Sequence, residues 1–586
     1  MNYRKLSADE IKQLEQQGCL SDNWEQVEVA SVFSCSCLHY VKFTGHNRLG
    51  VFEKKLAIND ELSVQSGIFN AWLHNCTIGD NVFIRNVGQY ISNYTIENEV
   101  VIQDVGVVET VGTSSFGNGE WMNVISESGT HRIPIYNELS AQLAYLLVSF
   151  REKTTLVSTL EKMIVSYSDK LKSTKGTIKT GAIISGCRTI RNVFVGEKAR
   201  LENAMNLVNG SICSSFEAPV YVGNGCSCAN FIIQSGTSLN NGVLLSNCFV
   251  GQGGLFDKQF SAEHSAFFAN CQGFYSEVCS VFAGPYTVTH HKSSLLIAGM
   301  FSFANVGSGS NQSNHAYRTG PIHYGITERG IKLGSDSYLF LPARIGAFTL
   351  VSGRHYNHPD TSDFPFSYLI ERNEKTQLIP GINFATIGTW RDVQKWKERD
   401  GRKGEKIDKI HFDLLNPFLV EKMQRAKIAL GNSKTIFGKA FVDESSKRRG
   451  IEHYDFAEDL FLLENFVKKI EKNKKELQPN TSDGCGNWLD VAGMFAPAVV
   501  IEKLLQAIEN GEIITLNKIE QTFATIFNAY SDFAWAWTAD AFAKKYGKQP
   551  WSLSQEEIEN YISRYKELAQ AYQQKLQLDA KKDVIN

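Results

Sequence analysis

The chain has 586 residues, 60 of them Lys or Arg and 62 Asp or Glu, and its formal net charge is −2. That length is too great for one ordinary hydrophobic core, so it indicates two or three domains or a repeat architecture. The balanced charge, without a clustered basic stretch, excludes the electrostatic surface that nucleic acid requires, and we expect no nucleic acid among the partners.

The first residues are polar and follow a helical pattern, MNYRKLSADEIKQLEQQG. Ser7 and Glu10 stand at the spacing of a capping box, which predicts the start of a helix. This stretch lacks the apolar segment of a signal peptide, and no run of about 18 apolar residues indicates a membrane span. We therefore expect a cytoplasmic protein without a membrane partner. For residues 1–60 we predict this helix followed by irregular structure.

A period of six residues dominates the stretch from residue 72 to residue 108. A large residue, here called a guide residue, returns at Trp72, Ile78, Ile84, Tyr90, Ile96, Ile102 and Val108. An amphipathic helix repeats at 3.6 residues and a half-buried strand at 2, so neither explains this period. Three short strands joined by corners make a coil of about 18 residues, and this pattern predicts a parallel β-helix.

The same signal returns twice further along the chain, with steps of five or six residues. The second run has guide residues at Ile178, Ile184, Ile190, Val195, Leu201 and Leu207, and continues through Val222, Cys228, Ile233, Leu239, Leu245 and Val250. The third run has them at Leu333, Leu339, Ile345 and Val351. Many of the twelve cysteines lie at or beside these inward positions, which favours buried thiols in a reduced protein.

This repeat resembles that of the hexapeptide-repeat proteins, whose left-handed β-helix serves many acyltransferases and the acetyltransferase half of bacterial N-acetylglucosamine-1-phosphate uridylyltransferases. The resemblance covers roughly residues 60 to 370 and implies a left-handed coil and a homotrimer. The sequence lacks the Gly-rich L-x-x-G-x-G-T-x-M signature of the nucleotidyltransferase half, so no nucleotidyl transfer is inferred. The chain as a whole resembles a bacterial family, common in relatives of Bacteroides, that joins this fold to a helical tail.

The predicted fold is therefore mainly β, a left-handed parallel β-helix with an inserted helical segment and a C-terminal α-helical domain. We assign the β-helix to residues 61–137 and 176–380, with long corner loops in the second part. Apolar residues at helical spacing, beginning with Leu139 and Leu143, predict the inserted segment at 138–175. Residues 381–415 are predicted as a linker and 416–586 as the helical domain.

Histidines are concentrated in one window, since seven of the thirteen fall between positions 264 and 358. The resemblance implies a histidine that acts as general base, and a neutral imidazole near pH 7 suits that role. The candidate bases are His290, His291 and His315. The candidate substrate- and phosphate-binding residues are Lys292, Asn311, Arg318, His323 and Arg354.

We expect an acyltransferase-like protein that transfers an acyl group from a coenzyme A thioester to a small molecule, either a sugar or a nucleotide-sugar. A non-catalytic β-helix scaffold or a sugar-nucleotide-binding protein is the alternative, because histidines at stacked corners also form hydrogen-bond ladders. No metal is expected, although His355 and His358 could share an ion if a third ligand joined them.

Overall fold

A three-sided parallel β-solenoid, followed by a helical region, forms the molecule. The structure is a computed structural model and describes residues 2–58, 61–315, 318–473 and 477–585. We name the three faces by their inward-pointing residues, which stack in register from coil to coil. Face A includes Leu73, Ile91 and Val108, face B includes Ile68, Ile84 and Ile102, and face C includes Ile78, Ile96 and Ile178.

Most of the predicted guide residues occupy these ladders. All residues of the second and third runs point inward, and the β-helix prediction is confirmed. The prediction was wrong for two guide residues of the first run. Leu73 and Ile91 fill the interior, whereas Trp72 and Tyr90 lie outside on face A with their rings 5.6 Å apart. The steps between inward residues vary from five to seven, so a strict count of six drifts by one position.

The solenoid starts before residue 61, the boundary expected from the repeat. Leu20–Ser21 pairs in parallel with Leu38–Thr44, and Val27–Ala30 pairs with Asn47–Leu49. Helix α1, Ala8–Gln16, covers this end, and Ser7 and Glu10 form the predicted capping box. The other strands up to the first interruption are Tyr3–Lys5, Lys55–Ala57, Ser63–Gln65, Gly67–His74, Thr77–Ile78, Phe83–Val87, Ile91–Ser92, Tyr94–Ile96, Val101–Val105 and Val107–Glu109.

An inserted segment leaves the solenoid between Val108 on face A and Ile178 on face C. It contains a hairpin, Trp121–Asn123 with Arg132–Pro134, and the helices α2, Ala141–Ser149, and α3, Thr154–Lys170. These elements pack on the outer, apolar side of face C, where Ile232, Phe249 and Phe282 point outward. The insertion therefore buries a surface that a free coil would expose to water.

The second part of the solenoid runs from residue 176 to a closing hairpin at residues 368–379. Its strands are Gly176–Ile178, Ile183–Ser185, Thr189–Val195, Arg200–Glu202, Asn206–Cys213, Tyr221–Val222, Ser227–Gln234, Ser238–Leu239, Leu244–Val250, Leu255–Asp257, Ser261–Glu263, Ala266–Phe267, Gln272–Phe274, Glu277–Ala283, Val288–Thr289, Leu295–Phe301, Asn305–Val306, Asn311–Ser313, Gly325–Thr327, Lys332–Leu333, Tyr338–Phe340, Arg344–Ile345, Leu350–Ser352, Arg354–His355, Tyr368–Arg372 and Lys375–Ile379. The last two pair antiparallel and end the stack.

The period blurs after Val250 because inward positions alternate between very large and very small residues. On face B, Phe256 is followed in register by Gly273 and then Thr289. A Cβ atom at Gly273 would lie 2.5 Å from the ring of Phe260, so phenylalanine rings fill the space that a medium-sized aliphatic residue fills elsewhere. Large and small residues thus fill the interior together, although the sequence pattern is lost.

The helical region packs against the last coils and the insertion. It comprises α4, Ile387–Glu398; α5, Pro417–Leu430; α6, Glu444–Asn473; α7, Ala498–Glu509; α8, Leu516–Asn528; α9, Tyr530–Tyr546; and α10, Gln555–Ile585, with strands Ile436–Phe437, Ala440–Phe441, Trp488–Val491 and Met494–Pro497. Buried Arg329, at a solenoid corner, joins the two parts. Its Nε lies 2.8 Å from Asp490, and its guanidinium lies between the rings of Phe303 and Phe495.

Candidate functional site

A groove runs along face B in the coils between residues 272 and 332. Gln272, Val288, Asn305 and Lys332 lie in register and point outward, because the next residue of each strand points into the core. Helix α4 lies across this row and forms the second wall of the groove. The enclosed part of the groove has a volume of about 90 Å³ and continues into open surface.

Aromatic rings hold α4 against the solenoid. Trp396 of α4 lies between Phe303 and Phe348, with ring centroids 4.7 Å and 6.0 Å away. The corner position between these two phenylalanines is Gly330, whose φ is +76° and whose hypothetical Cβ would lie 2.5 Å from the ring of Phe348. The absent side chain leaves room for the Phe348 ring, on which Trp396 packs.

Cations outnumber anions along the α4 wall. Lys332 forms an ion pair with Asp392, with Nζ 2.6 Å from Oδ2. Lys395 and Arg399 lie four residues apart on α4 and both line the groove. Within the described residues neither side chain has an ion-pair or hydrogen-bond partner. Two uncompensated positive charges in a concave site favour an anionic ligand group such as phosphate.

His290 lies at the end of the groove, where face B turns into face A. Its ring is stacked on Phe274 with centroids 5.5 Å apart and an interplanar angle of 12°. Burial lowers the pKa of His290, and the nearby charges of His291, Arg399 and Lys258 lower it further. The imidazole is therefore neutral at pH 7, the form that can accept a proton.

Tyr286 forms part of the inner wall of the groove. Tyr286 is buried with its ring stacked on Phe303, and its hydroxyl has no hydrogen-bond partner of normal geometry among the described residues. Burial raises the pKa of Tyr286, so the phenol keeps its proton. The groove thus combines a neutral base with two free cations, which can bind and deprotonate a phosphate-bearing molecule.

The other predicted residues near His290 follow the same edge of the solenoid. His291 and Lys292 are exposed at the same corner, and the Lys292 Nζ lies 5.2 Å from the ring of Tyr275. Arg354 lies three coils further on and binds Asp336 at 2.9 Å. That guanidinium is therefore already paired, which makes it a weaker phosphate ligand than the sequence suggested.

Of the remaining predicted residues, His315, Arg318 and His323 lie across face A from this edge, whereas Asn311 begins a face A strand one coil after Leu295. His315 and Arg318 are exposed in the long loop that joins face A to face C, and His323 lies at the end of the same loop. Asn311 lies on face A itself, where its strand pairs with Tyr338–Phe340. The structure does not bring these residues together with His290 at one site.

His355 and His358 do not form the considered metal site. His355 is fully buried as a rung of face A, within 3.2 Å of the Ser352 carbonyl, and burial lowers its pKa to about 4. His358 lies at a corner, and its Nδ1 donates to the carbonyl of Phe340. No group of three or more His, Cys, Asp and Glu side chains in the described part of the chain could hold a metal ion.

Models of known protein families match this chain. The model of the family described as "Domain of unknown function (DUF4954)" matches residues 3–434, about three quarters of the sequence. The chain belongs to the DUF4954 family. A second model, "Domain of unknown function (DUF6819)", matches residues 469–585, which include α7 to α10. An "Uncharacterized protein" of Treponema pallidum (strain Nichols) is 26% identical over 583 residues, covering 90% of this chain and 80% of that protein.

Sequence reasoning missed the α4 side of the groove in this DUF4954 protein. Lys395 and Arg399 belong to the stretch predicted as an exposed linker, and their i, i+4 spacing was the one available signal of a shared helical face. Lys332 immediately precedes the guide residue Leu333, so its outward direction could be predicted, but the helix opposite it could not.

No helix among the described residues is both long and apolar enough to cross a membrane.

Two larger cavities lie where the solenoid or α4 meets other parts of the DUF4954 chain. The Arg344 cavity, about 500 Å³, lies between face C, the insertion and Asp490 of the helical region, and it contains Glu328 with its partner Lys422 at 2.6 Å. The Asp413 cavity, about 560 Å³, is lined by residues of both family-matched regions, from Phe384 to Gln573. Neither contains a predicted site residue.

Proposed function

We propose that this protein is an acyltransferase-like enzyme that uses the His290 groove to bind a phosphate-bearing sugar or nucleotide-sugar acceptor. The observation that carries the proposal is the convergence of a neutral imidazole with the unpaired cations Lys395 and Arg399. Acyl transfer at a β-helix corner is also what the resemblance to hexapeptide-repeat proteins implies.

In the proposed reaction the donor is a coenzyme A thioester and His290 is the general base. The imidazole takes the proton of the acceptor hydroxyl or amine while that oxygen or nitrogen attacks the thioester carbonyl carbon. A bond forms from the acceptor to the acyl carbon, the C–S bond breaks, and the imidazolium returns the proton to the departing thiolate.

The size of the groove limits how the substrates bind. Its enclosed part, about 90 Å³, has room for a phosphate or an acyl group but not for a whole nucleotide-sugar. We therefore place the remaining ligand on the open surface between Lys258 and Lys292, where both ammonium groups lie beside the ring of Tyr275. This open surface is also available to the donor.

Ligand-induced thermal stabilisation of the full chain tests the proposal. Acetyl-coenzyme A and UDP-N-acetylglucosamine, each far above its dissociation constant, should raise the melting temperature by a few degrees, because a hundredfold excess stabilises the native state by about 2.7 kcal/mol. Arg399→Gln should reduce the shift. Arg200→Gln, an exposed arginine of an earlier coil on the same face, is the matched control and should leave it unchanged.

An acyl-transfer assay then separates catalysis from binding. His290→Gln should abolish transfer while the thermal shift remains, because the base acts in the chemical step and the cations bind the substrate. Binding without transfer by the unmodified protein would favour the alternative, a non-catalytic sugar-nucleotide-binding scaffold. Absence of any shift with both ligands would contradict the proposal.

We also propose a homotrimer in the cytoplasm, as the hexapeptide resemblance implies. Light scattering on the purified protein should give three times the chain mass of 65.5 kDa. A monomeric mass would remove intersubunit donor sites from the proposal and leave the His290 groove as a site within one chain.

A further inference from the structure

The Asp413 cavity lies on the far side of α4 from the solenoid and is separate from the His290 groove. Its walls are α4, residues 412–415, α6, the first turn of α9, and α10. Its volume, about 560 Å³, falls within the range of small-molecule binding sites, 300–1,000 Å³. It is six times larger than the enclosed part of the His290 groove and has no role in the proposed acyl transfer.

Three polar side chains in this cavity have no hydrogen-bond or ion-pair partner within the described residues: Asp413, Gln394 and Gln573. All three are exposed within the concavity and come from different segments of the chain. Although the Asp413 carboxyl is open to the cavity, desolvation by the surrounding walls raises its pKa, an effect that the charges of Lys468 and Arg329 partly offset. Unused donors and acceptors converging from three directions indicate an uncharged polar ligand.

The charges of the cavity wall are balanced. Glu464 and Lys468 pair with each other at 2.7 Å, and the remaining charged lining residues are Asp413, Asp532, Lys469 and Lys472. The lining therefore has three acidic and three basic side chains and no net charge. Such a lining does not favour either a phosphate or a polyamine. This balance distinguishes the cavity from the His290 groove, where cations are in excess.

Aromatic rings supply the other part of the lining. Trp390, Phe412, Tyr565 and Tyr530 are partly exposed and line the cavity, and Tyr572 is anchored by a hydrogen bond from its hydroxyl to the Phe384 carbonyl. Flat apolar rings next to carboxylate and amide groups match a molecule that has apolar C–H faces and hydroxyl edges. Carbohydrates have this combination.

We propose that the Asp413 cavity is a binding site for a neutral carbohydrate, with Asp413, Gln394 and Gln573 binding its hydroxyl groups and Trp390 stacking on a sugar ring. The site goes beyond the proposed acyl transfer and stands without it. It is composed of segments from both sides of α6, from α4 to α10, so it requires the whole helical region.

Titration of the full chain with neutral oligosaccharides tests this site. Maltotriose, cellotriose and diacetylchitobiose are the probes, followed by ligand-observed NMR and by tryptophan fluorescence, with spermidine and inorganic phosphate as charged comparisons. At least one oligosaccharide should bind saturably, and neither charged compound should compete with it. Asp413→Asn and Gln573→Ala should each weaken binding about tenfold or more, since each removes hydrogen bonds to the ligand.

Asp540→Asn is the matched control. Asp540 lies on α9, pairs with Lys544 at 2.6 Å and does not line the cavity, so its replacement should leave the affinity unchanged. Gln573 is exposed and unpaired, so Gln573→Ala tests the site even if Asp413→Asn unfolds. The proposal is overturned if no probe saturates, or if binding persists unchanged in the Gln573→Ala protein. Loss of acyl transfer in His290→Gln would not affect any of these results.

Discussion

The coils between residues 176 and 250 and those between 255 and 370 share one backbone plan but differ in their residues. In the earlier coils the rungs of face B are Ile184, Leu201, Val222 and Leu239, all aliphatic. In the later coils the rungs of the same face and of face A include Gly273, Thr289, Gln312 and His355. The His290 groove and the Arg344 cavity both lie on the later coils.

The corners differ in the same way. Asn209, Asn230 and Asn247 follow one another at the corner between faces A and C, all with positive φ, and their amides are linked at 2.8 Å and 2.9 Å. Asparagine tolerates this backbone conformation better than most residues. In the next coils His264 and Ser280 take the position. The earlier coils are therefore stabilised by their own stacked aliphatic and asparagine side chains. The later coils depend more on the helices that pack against them.

The largest effect we expect is from Arg329→Met, which would break the contact between the later coils and the helical region. It removes the ion-pair partner of the largely buried Asp490, which within the described residues keeps only the hydrogen bond from the Gly493 N–H. It also removes the hydrogen bonds to the carbonyls of His411 and Gly493. Loss of one partner of a buried pair costs about 3–5 kcal/mol. Urea unfolding should show this loss. Arg200→Met breaks an exposed pair with Glu202 and should cost at most about 1 kcal/mol. Equal costs for the two variants would contradict the expected difference between the buried pair and the exposed pair.

The next largest effect is expected in the aliphatic interior of the early coils. Ile102→Ala removes a fully buried rung of face B and should destabilise the protein by about 2–5 kcal/mol, because the stacked coils cannot collapse into the space. Chemical denaturation measures the change. A loss below about 1 kcal/mol would mean that the regular coils are less tightly packed than their ladders indicate.

A pH effect should appear where the insertion meets the helical region. Burial raises the pKa of Glu520 to about 7, and its Oε1 accepts a hydrogen bond from Ser140 at 2.7 Å. The folded state holds this proton more tightly than the unfolded state, so stability falls as the pH rises from about 4.5 to 7, by at most about 3 kcal/mol. Glu520→Gln removes this dependence. Its gain in melting temperature should be larger at pH 8 than at pH 5, and an equal gain at both would contradict the shifted pKa.

The smallest effect should have the opposite sign. Gln312 is fully buried on face A, and both its amide atoms lack hydrogen-bond partners among the described residues. Gln312→Met keeps the shape and removes the unsatisfied polar group, so it should stabilise the protein by about 1–3 kcal/mol. Differential scanning fluorimetry detects such a gain. Destabilisation would show that the Gln312 amide contributes to the stability of the later coils although it has no hydrogen-bond partner in the described part of the chain.

The sequence predicted the fold better than the site, for a physical reason. The spacing of guide residues such as Ile184 and Leu201 along the sequence predicts that they are buried. A period of six can be recognised without knowledge of any distant contact. Trp72 was misread because one corner is a residue shorter than its neighbours. The groove depends on α4 approaching face B, where Trp396 packs between Phe303 and Phe348, and Trp396 carries no periodic signal. His290 was identified by composition alone, whereas Lys395 and Arg399 needed the three-dimensional packing.

The central claim is that ligands bind to the later, irregular coils. Hydrogen–deuterium exchange on the full chain, with and without acetyl-coenzyme A and UDP-N-acetylglucosamine, tests it most directly. We predict slower exchange in peptides covering residues 270–348 and α4, with no change in residues 67–109. Protection confined to the regular coils, or no protection anywhere, would contradict the claim.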